Sequence, residues 1–344
     1  MVFLAIEIAM NLNKCEIMLA RKIYPFGTGV SPSDTTNIIL LAEGFTAGQE
    51  LMFYNHCLEL VNKLINSSPF QYTQIKPHWL SIYIHFKSSN QSGPSLSTAS
   101  SPQSTAYESM LTPATEQLRL NHDLIAAELN TLTVKDQANT INLSDLLVKG
   151  KKIGENGNSL IAVLVPSSGS GGDFEFTSPN ANQYAYVATT LDGFWHQVVV
   201  RALGKLLKLG DEYDIEGTSN LSPSDTQGDQ IHSDYPNLIY SKTNISGVPD
   251  SAFKWFNLLS ASERLQPLTV HSATGVNVDR NIINPMYTYD NLELWEGAGT
   301  YRKNIYRSSQ DCLMRRKTGD ISIPIRKQEL AFCRICQDYL FKKI

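Results

Sequence analysis

Four short apolar runs constrain the fold of this chain more than any other feature of its sequence. They are NIILLAEGF at 37–45, LSIYIHF at 80–86, LIAVLV at 160–165 and YAYVATT at 184–190. Runs of this length and composition predict β-strands, and those with hardly a polar residue predict buried ones. Helices are predicted after Thr46 and over 193–210, the second ending at Gly210. The pattern indicates an α/β or α+β fold, with a mixed sheet and helices.

The segments between these runs give weaker signals. Residues 88–115 are dominated by Ser, Thr, Pro and Gly, which predicts a long surface loop or flap that is too polar to pack. Helical signals occupy 119–148, whereas 216–252 is rich in loop-forming residues. A short helix or strand is predicted within 251–268, and a terminal helix over 328–344.

Composition excludes some classes of partner. The 344 residues are 42% apolar and 18% charged, as in a globular protein, and the formal net charge of −4 argues against a nucleic-acid partner. No apolar run reaches the length of a membrane span. The N-terminal stretch MVFLAIEIAM lacks a basic start and is interrupted by Glu7, so it is a poor signal peptide. We therefore expect a cytoplasmic protein.

The segment VRALGKLLKLGDEYD at 200–214 has the outline of a zinc-peptidase helix. Such a helix places two His residues four positions apart, so that both imidazoles face one metal ion, and a Glu after the first His acts as the general base. This segment keeps the helix length and an acidic exit, but it has neither His nor Glu at those positions.

The segment resembles the signature HExxHxxxxLxDEY of the IgA-peptidase-type zinc metallopeptidases, family 64 of the metallopeptidases. ILLAEGFTAGQ (39–49), SPF (68–70), WEGAGTYRKNIYRSSQDCLMR (295–315) and FCRIC (332–336) are similar to further family motifs in the same order. The resemblance covers about residues 24–340. It implies a zincin-like fold over 24–344, after an N-terminal extension at 1–23. The upper part would span about 24–213, and the lower part, about 214–344, would be an irregular C-terminal subdomain.

In this alignment Val200 and Gly204 replace the two His ligands, and Arg201 replaces the catalytic Glu. We therefore expect no metal and no other cofactor at this helix. Since a cation repels zinc, Arg201 is predicted to pair with Asp211, Glu212 or Glu296.

An alignment shifted by one turn, on HQVVV at 196–200, keeps His196 but puts Gln197 at the base position. Gln cannot take a proton from water as a carboxylate does. Zinc would bind only at a rearranged site around His196, Asp211 and Glu212. A packed or capping role for His196 and a structural role for the two acids are the alternatives.

The resemblance also points to residues with structural or cleft-lining roles. These are Tyr213, Glu296, Gly297, Tyr306, Arg307, Cys312, Cys333 and Cys336. For the three cysteines two alternatives remain open, a disulfide from Cys312 to one of the C-x-x-C pair or three reduced buried thiols. A four-ligand zinc site would need a His to join them.

Two main classes of function follow. The first is an inactive homologue, a pseudopeptidase that binds a peptide or protein in the cleft between its two parts. The second is an active metal-dependent peptidase with the rearranged site. A structural subunit of a larger assembly is a third possibility, and the resemblance also leaves an exported location open.

Overall fold

The structure is a computed structural model of the chain. It describes residues 19–24, 36–70, 80–99, 103–112, 117–136, 139–142, 159–166, 186–191, 195–212, 222–242, 245, 247–271, 292–309, 312–315 and 332–343. Tyr213, predicted above to have a structural or cleft-lining role, lies outside these residues.

The described residues contain strands in three sheets and five α-helices. The strands are β1 (Leu19–Tyr24), β2 (Thr36–Ala42), β3 (Leu80–His85), β4 (Ser95–Leu96), β5 (Met110–Thr112), β6 (Gln117–Arg119), β7 (Thr133–Asp136), β8 (Asn139–Asn142), β9 (Ser159–Val165), β10 (Tyr186–Thr190), β11 (Ile239–Tyr240), β12 (Val270–His271), β13 (Leu294–Ala298) and β14 (Tyr301–Arg307). The helices are α1 (Glu50–Ile65), α2 (His122–Thr131), α3 (Trp195–Leu206), α4 (Asp225–Asp234) and α5 (Arg334–Lys343). The chain is thus of the mixed α+β class.

The main sheet has seven strands in the order β10-β9-β2-β3-β1-β7-β8. Strands β10, β9, β2 and β3 run parallel to one another, while β1 is antiparallel to β3 and parallel to β7. All four apolar runs of the sequence are therefore neighbouring strands, as predicted. Strand β1 crosses the boundary placed before residue 24, and its first five residues lie in the sheet rather than in an extension.

The central strands are buried on both faces, which is why their sequences are almost continuously apolar. Ile38 and Leu40 face one hydrophobic cluster, which also contains side chains of α1, α3 and α5. Ile39 and Leu41 face a second cluster, which contains side chains of α2. The period of two along β2 assigns alternate residues to the two layers of the core.

The segment 88–115 was wrongly predicted to be too polar to pack. Strands β4 and β5 lie in this segment and form a small sheet with β6, and Tyr107 and Ser109 are fully buried. The cause lies at the end of β2, where the buried carboxylate of Glu43 accepts hydrogen bonds from the backbone N–H groups of Tyr107 (2.7 Å) and Ser109 (2.9 Å). Because these bonds pair the polar backbone, the segment packs without many apolar side chains.

Two further predictions were wrong in extent. In the described part of 119–148, α2 is the one helix, and β7 and β8 follow it. Helix α4 lies in the segment 216–252, which was predicted to be mainly loop, and it contains His232. Its start is fixed by a capping box in which Ser224 and Gln227 exchange hydrogen bonds. In 251–268 two single 3₁₀ turns, Phe256–Leu258 and Glu263–Leu265, stand where a short helix or strand was predicted.

The C-terminal part, expected to be irregular, contains regular secondary structure among its described residues. A second sheet has the order β11-β14-β13-β12. Its central hairpin turns at Gly299 (φ +60°) and Thr300 (φ +72°), two left-handed residues whose twist suits a two-residue hairpin. Helix α5 begins only at Arg334, so the predicted terminal helix is shorter at its start. No helix in the described part of the chain could cross a bilayer on grounds of length and hydropathy.

Candidate functional site

Helix α3 packs on β9 and β10, and nearly every one of its side chains is buried. The helix ends at Leu206 rather than at Gly210. Lys208 takes the left-handed conformation (φ +73°) there, while Leu209 N donates to Gly204 O and Lys208 N to Lys205 O. This pattern is a Schellman end, with a lysine where glycine is usual. Gly210 is needed for a different reason, since a Cβ atom there would lie 2.8 Å from the ring of Tyr235.

The two positions that the resemblance aligns with zinc ligands are filled by packing. Val200 is completely buried. A Cβ atom on Gly204 would lie 2.7 Å from Sδ of Met314 and 3.4 Å from the ring of Phe332. An imidazole at position 204 would therefore need the fully buried Met314 to move.

The predicted ion pair of Arg201 is present, and its partner is Asp211. Nη2 of Arg201 lies 2.7 Å from Oδ1 of Asp211, and Nζ of Lys205 lies 2.8 Å from Oδ2 of the same carboxylate. Burial lowers the pKa of Lys205, although Asp211 opposes this shift. Two cations thus converge on the acid that the alternative site would need as a metal ligand.

His196 is buried at the beginning of α3, away from that acid. Its ring nitrogens lie 3.2 Å and 3.4 Å from Nζ of Lys63 on α1, and its ring contacts Trp195 edge-on. Among the described residues, His196 and Asp211 are not part of any group of three potential ligands close enough to share an ion. The structure therefore does not bring His196, Asp211 and Glu212 together.

Glu212 instead points into the cysteine group. Its carboxylate and the thiols of Cys312, Cys333 and Cys336 are all buried, and one ligand atom from each lies within 4.8 Å of the others. Oε1 of Glu212 is 3.2 Å from Sγ of Cys336 and 3.6 Å from Sγ of Cys333. All three cysteines are reduced, which agrees with the second of the two alternatives left open by the sequence.

Burial dominates the protonation of this group. It raises the pKa of Glu212 to about 8, reinforced by Cys333, and it raises the pKa of the Cys312 and Cys336 thiols well above their ordinary value. Burial also acts to raise the pKa of Cys333. Hydrogen bonds from Cys312, Cys336 and Ser308 outweigh it there, so the pKa of Cys333 is lowered well below its ordinary value. The group thus favours one thiolate among neutral partners.

The other predicted residues build the hairpin of the second sheet. Glu296, in β13, accepts a hydrogen bond from the backbone N–H of Asn304 at 3.1 Å. Arg307, in β14, donates to the backbone carbonyls of Glu296 and Gly297, and Tyr306 pairs with Ile239 in β11. These contacts give Glu296, Gly297, Tyr306 and Arg307 a structural role in the fold.

No family model and no curated protein matches the chain. The structure adds one residue to this site whose role sequence reasoning missed, Asn237. The Asn237 amide donates to Oε1 of Glu212 (3.0 Å) and is hydrogen-bonded in both directions to the backbone of Gly210. The DEY motif after the helix singled out Glu212 in the sequence, but it did not indicate the thiols that Glu212 contacts.

Proposed function

We propose that the chain is a non-catalytic relative of zinc metallopeptidases, with a zincin-like arrangement of its main sheet and α3. In this proposal it acts as a peptide- or protein-binding or structural module. The observation that carries the proposal is the pairing of Arg201 and Lys205 with Asp211, at the place where the family would hold zinc and its catalytic base. A buried guanidinium that is committed to a carboxylate neither binds a dication nor accepts a proton from water.

Packing at the neighbouring positions supports the same conclusion. Gly204 lies against Met314 and Phe332, which leaves no room for an imidazole. His196 lies beside the ammonium of Lys63, where positive charge opposes a metal ion. An active peptidase would need both contacts to be dismantled.

A hydrolysis assay tests the absence of catalysis. The purified chain is incubated with zinc and a library of fluorogenic peptides, and we expect no cleavage above that of a His196→Ala variant. Cleavage that a chelator inhibits, and that His196→Ala abolishes, would show that the rearranged peptidase site exists. Cleavage that survives His196→Ala would instead point to a contaminating enzyme, so the variant is the matched control.

The binding role needs its own measurement. Fluorescence anisotropy with the same library, uncleaved and labelled, should show saturable binding of a subset of peptides, unchanged by His196→Ala. A library without any saturable binder would refute the peptide-binding form of the proposal. A larger assembly would then be sought by measuring the molar mass of the native particle in the source cells.

A further inference from the structure

We propose that Glu212, Cys312, Cys333 and Cys336 bind one zinc ion as a buried structural centre made of three thiolates and one carboxylate. The proposal does not rest on the proposed function, because this group is separate from the ligand positions of α3. It gives Glu212, in the acidic segment that follows α3, the role of a metal ligand.

The distances within the group fit one tetrahedral ion. Zinc bonds of about 2.3 Å to sulfur and about 2.0–2.2 Å to oxygen place two sulfurs about 3.8 Å apart and a sulfur and an oxygen about 3.5 Å apart. Here Sγ of Cys312 lies 3.8 Å from Sγ of Cys336, and Oε1 of Glu212 lies 3.2 Å and 3.6 Å from Cys336 and Cys333. A disulfide would need a sulfur separation near 2.05 Å, which the Cys312–Cys336 pair does not have.

Hydrogen bonds from neighbouring groups reach the sulfur atoms of the group. The backbone N–H of Cys333 donates to Sγ of Cys312 at 3.3 Å, and the Ser308 hydroxyl donates to Sγ of Cys333 at 3.2 Å. Asn237 orients the carboxylate from the other side. Hydrogen bonds of this kind position metal ligands and stabilise their charged forms.

Glu212 supplies an independent sign that a ligand belongs here. Its side chain is completely buried, yet within the described part of the chain its Oε2 atom has no hydrogen-bond partner. Leaving a buried polar atom unpaired costs about 1–3 kcal/mol, and more for a charged group. A metal ion held by this carboxylate would offset part of that cost through its positive charge.

Zinc is the ion that suits these ligands. A compact tetrahedral set dominated by thiolate selects zinc or iron, and a closed set of four protein ligands is typical of structural zinc. On binding, the thiol protons, and the proton of Glu212 where it is present, leave to solvent. The cation of Arg307, which lowers the pKa of Glu212, offsets part of the remaining negative charge.

Metal analysis of the untagged protein, purified under reducing conditions, tests the proposal. We expect one equivalent of zinc per chain that survives dialysis. When an organomercurial reagent is added to the wild-type chain and reacts with its thiols, we expect this zinc to be released. This release needs no variant, so it stays informative even if a cysteine variant fails to fold. Protein that holds no zinc after reconstitution with zinc and reductant would overturn the proposal, and so would iron in its place.

Variants then locate the ion. Cys333→Ser and Cys312→Ser should lose zinc, and Glu212→Gln should weaken zinc binding by about 10-fold or more. Cys57→Ser, which changes an equally buried thiol in α1, is the matched control and should retain zinc. Zinc retained by Cys333→Ser, or lost by His196→Ala, would place the ion elsewhere. Loss through His196→Ala together with chelator-sensitive hydrolysis would contradict the proposed function as well, so the two failures can be told apart.

Cobalt reports the ligand set directly. With cobalt(II) in place of zinc, we expect the d–d absorption of a tetrahedral ion and a thiolate charge-transfer band. The intensity of that band is proportional to the number of thiolate ligands, so it should fall by about one third in each single cysteine variant. A band unaffected by these substitutions would exclude thiolate ligation at this group.

Discussion

Glu128 on α2 carries the clearest electrostatic prediction for a single residue. Its Oε1 atom lies 3.0 Å from Nε2 of the buried His85, and its Oε2 atom lies 2.5 Å from Nζ of Lys87. The hydrogen bond with His85 lowers the pKa of Glu128 from 4.5 to about 2, with a further contribution from Lys87. Burial opposes this shift, but its effect is smaller. The carboxylate therefore stabilises the fold above pH 4.5, and this contribution is lost as the pH falls towards 2.

Replacing Glu128 by Gln tests this contribution. At pH 7 we expect Glu128→Gln to lower the free energy of unfolding by about 1–2 kcal/mol, after allowance for solvent screening at Lys87. Urea unfolding at several pH values should show the difference between wild type and variant shrinking from pH 4.5 to pH 2. A difference that stays constant over that range would mean that packing, and not charge, accounts for the effect.

Single residues differ in how far the sequence could assign them. The ion pair of Arg201 was predictable, because acids follow its helix closely in the sequence and a cation there was expected to pair with one of them. The three cysteines were recognised as a group, but their fourth partner was not, since Glu212 lies 100 positions before Cys312 in the chain. Glu43 binds the backbone of Tyr107 and Ser109, which lie 64 and 66 positions later in the chain. Long-range partners of this kind are fixed by the fold and leave no local spacing in the sequence.

At the scale of elements, the backbone at the end of α3 is strained at one residue, and a substitution to glycine can relieve this strain. Lys208 is left-handed, a conformation that costs a residue with a Cβ atom roughly 1 kcal/mol relative to glycine. We expect Lys208→Gly to raise the free energy of unfolding by up to about 1 kcal/mol, measured by chemical denaturation. Lys208→Ala is the matched control, because it removes the long side chain but keeps the Cβ atom. Equal gains in both variants would attribute the effect to the lysine side chain instead.

The elements that were predicted correctly are those whose own side chains form the hydrophobic core. Strands β2 and β9 are apolar along most of their length, and α1 places Phe53, Cys57 and Leu60 on one buried face. Helix α4 has only Gly228 buried, so it shows no apolar period, and its capping box was the only available signal. The small sheet of β4 to β6 depends on the carboxylate of Glu43, which lies outside that segment. Element prediction therefore fails where hydrogen bonds decide the structure and apolar burial does not.

At the scale of the whole molecule, one hydrophobic cluster joins segments from both ends of the described chain. It contains Ile38 of β2, Leu203 of α3 and Leu340 of α5. The buried cluster of Glu212 and the three cysteines lies at the same junction, because Glu212 follows α3 while Cys333 and Cys336 lie at the start of α5. A zinc ion bound there would stabilise the folded state in proportion to the logarithm of its concentration. The C-terminal segment is thus part of the main core, and the division into an upper and a lower part does not separate two cores.

This continuity predicts that damage to α5 is felt in the main sheet. Leu340 is completely buried, whereas the next residue of the helix, Phe341, is 43% exposed. Because a buried unpaired charge is costly, Leu340→Asp should lower the free energy of unfolding by about 4 kcal/mol or more, and Phe341→Asp by far less. Hydrogen exchange is the measurement, since amides of β2 should lose protection in Leu340→Asp together with those of α5. Loss confined to α5, or a second separate unfolding transition, would show that the helix folds independently of the sheet.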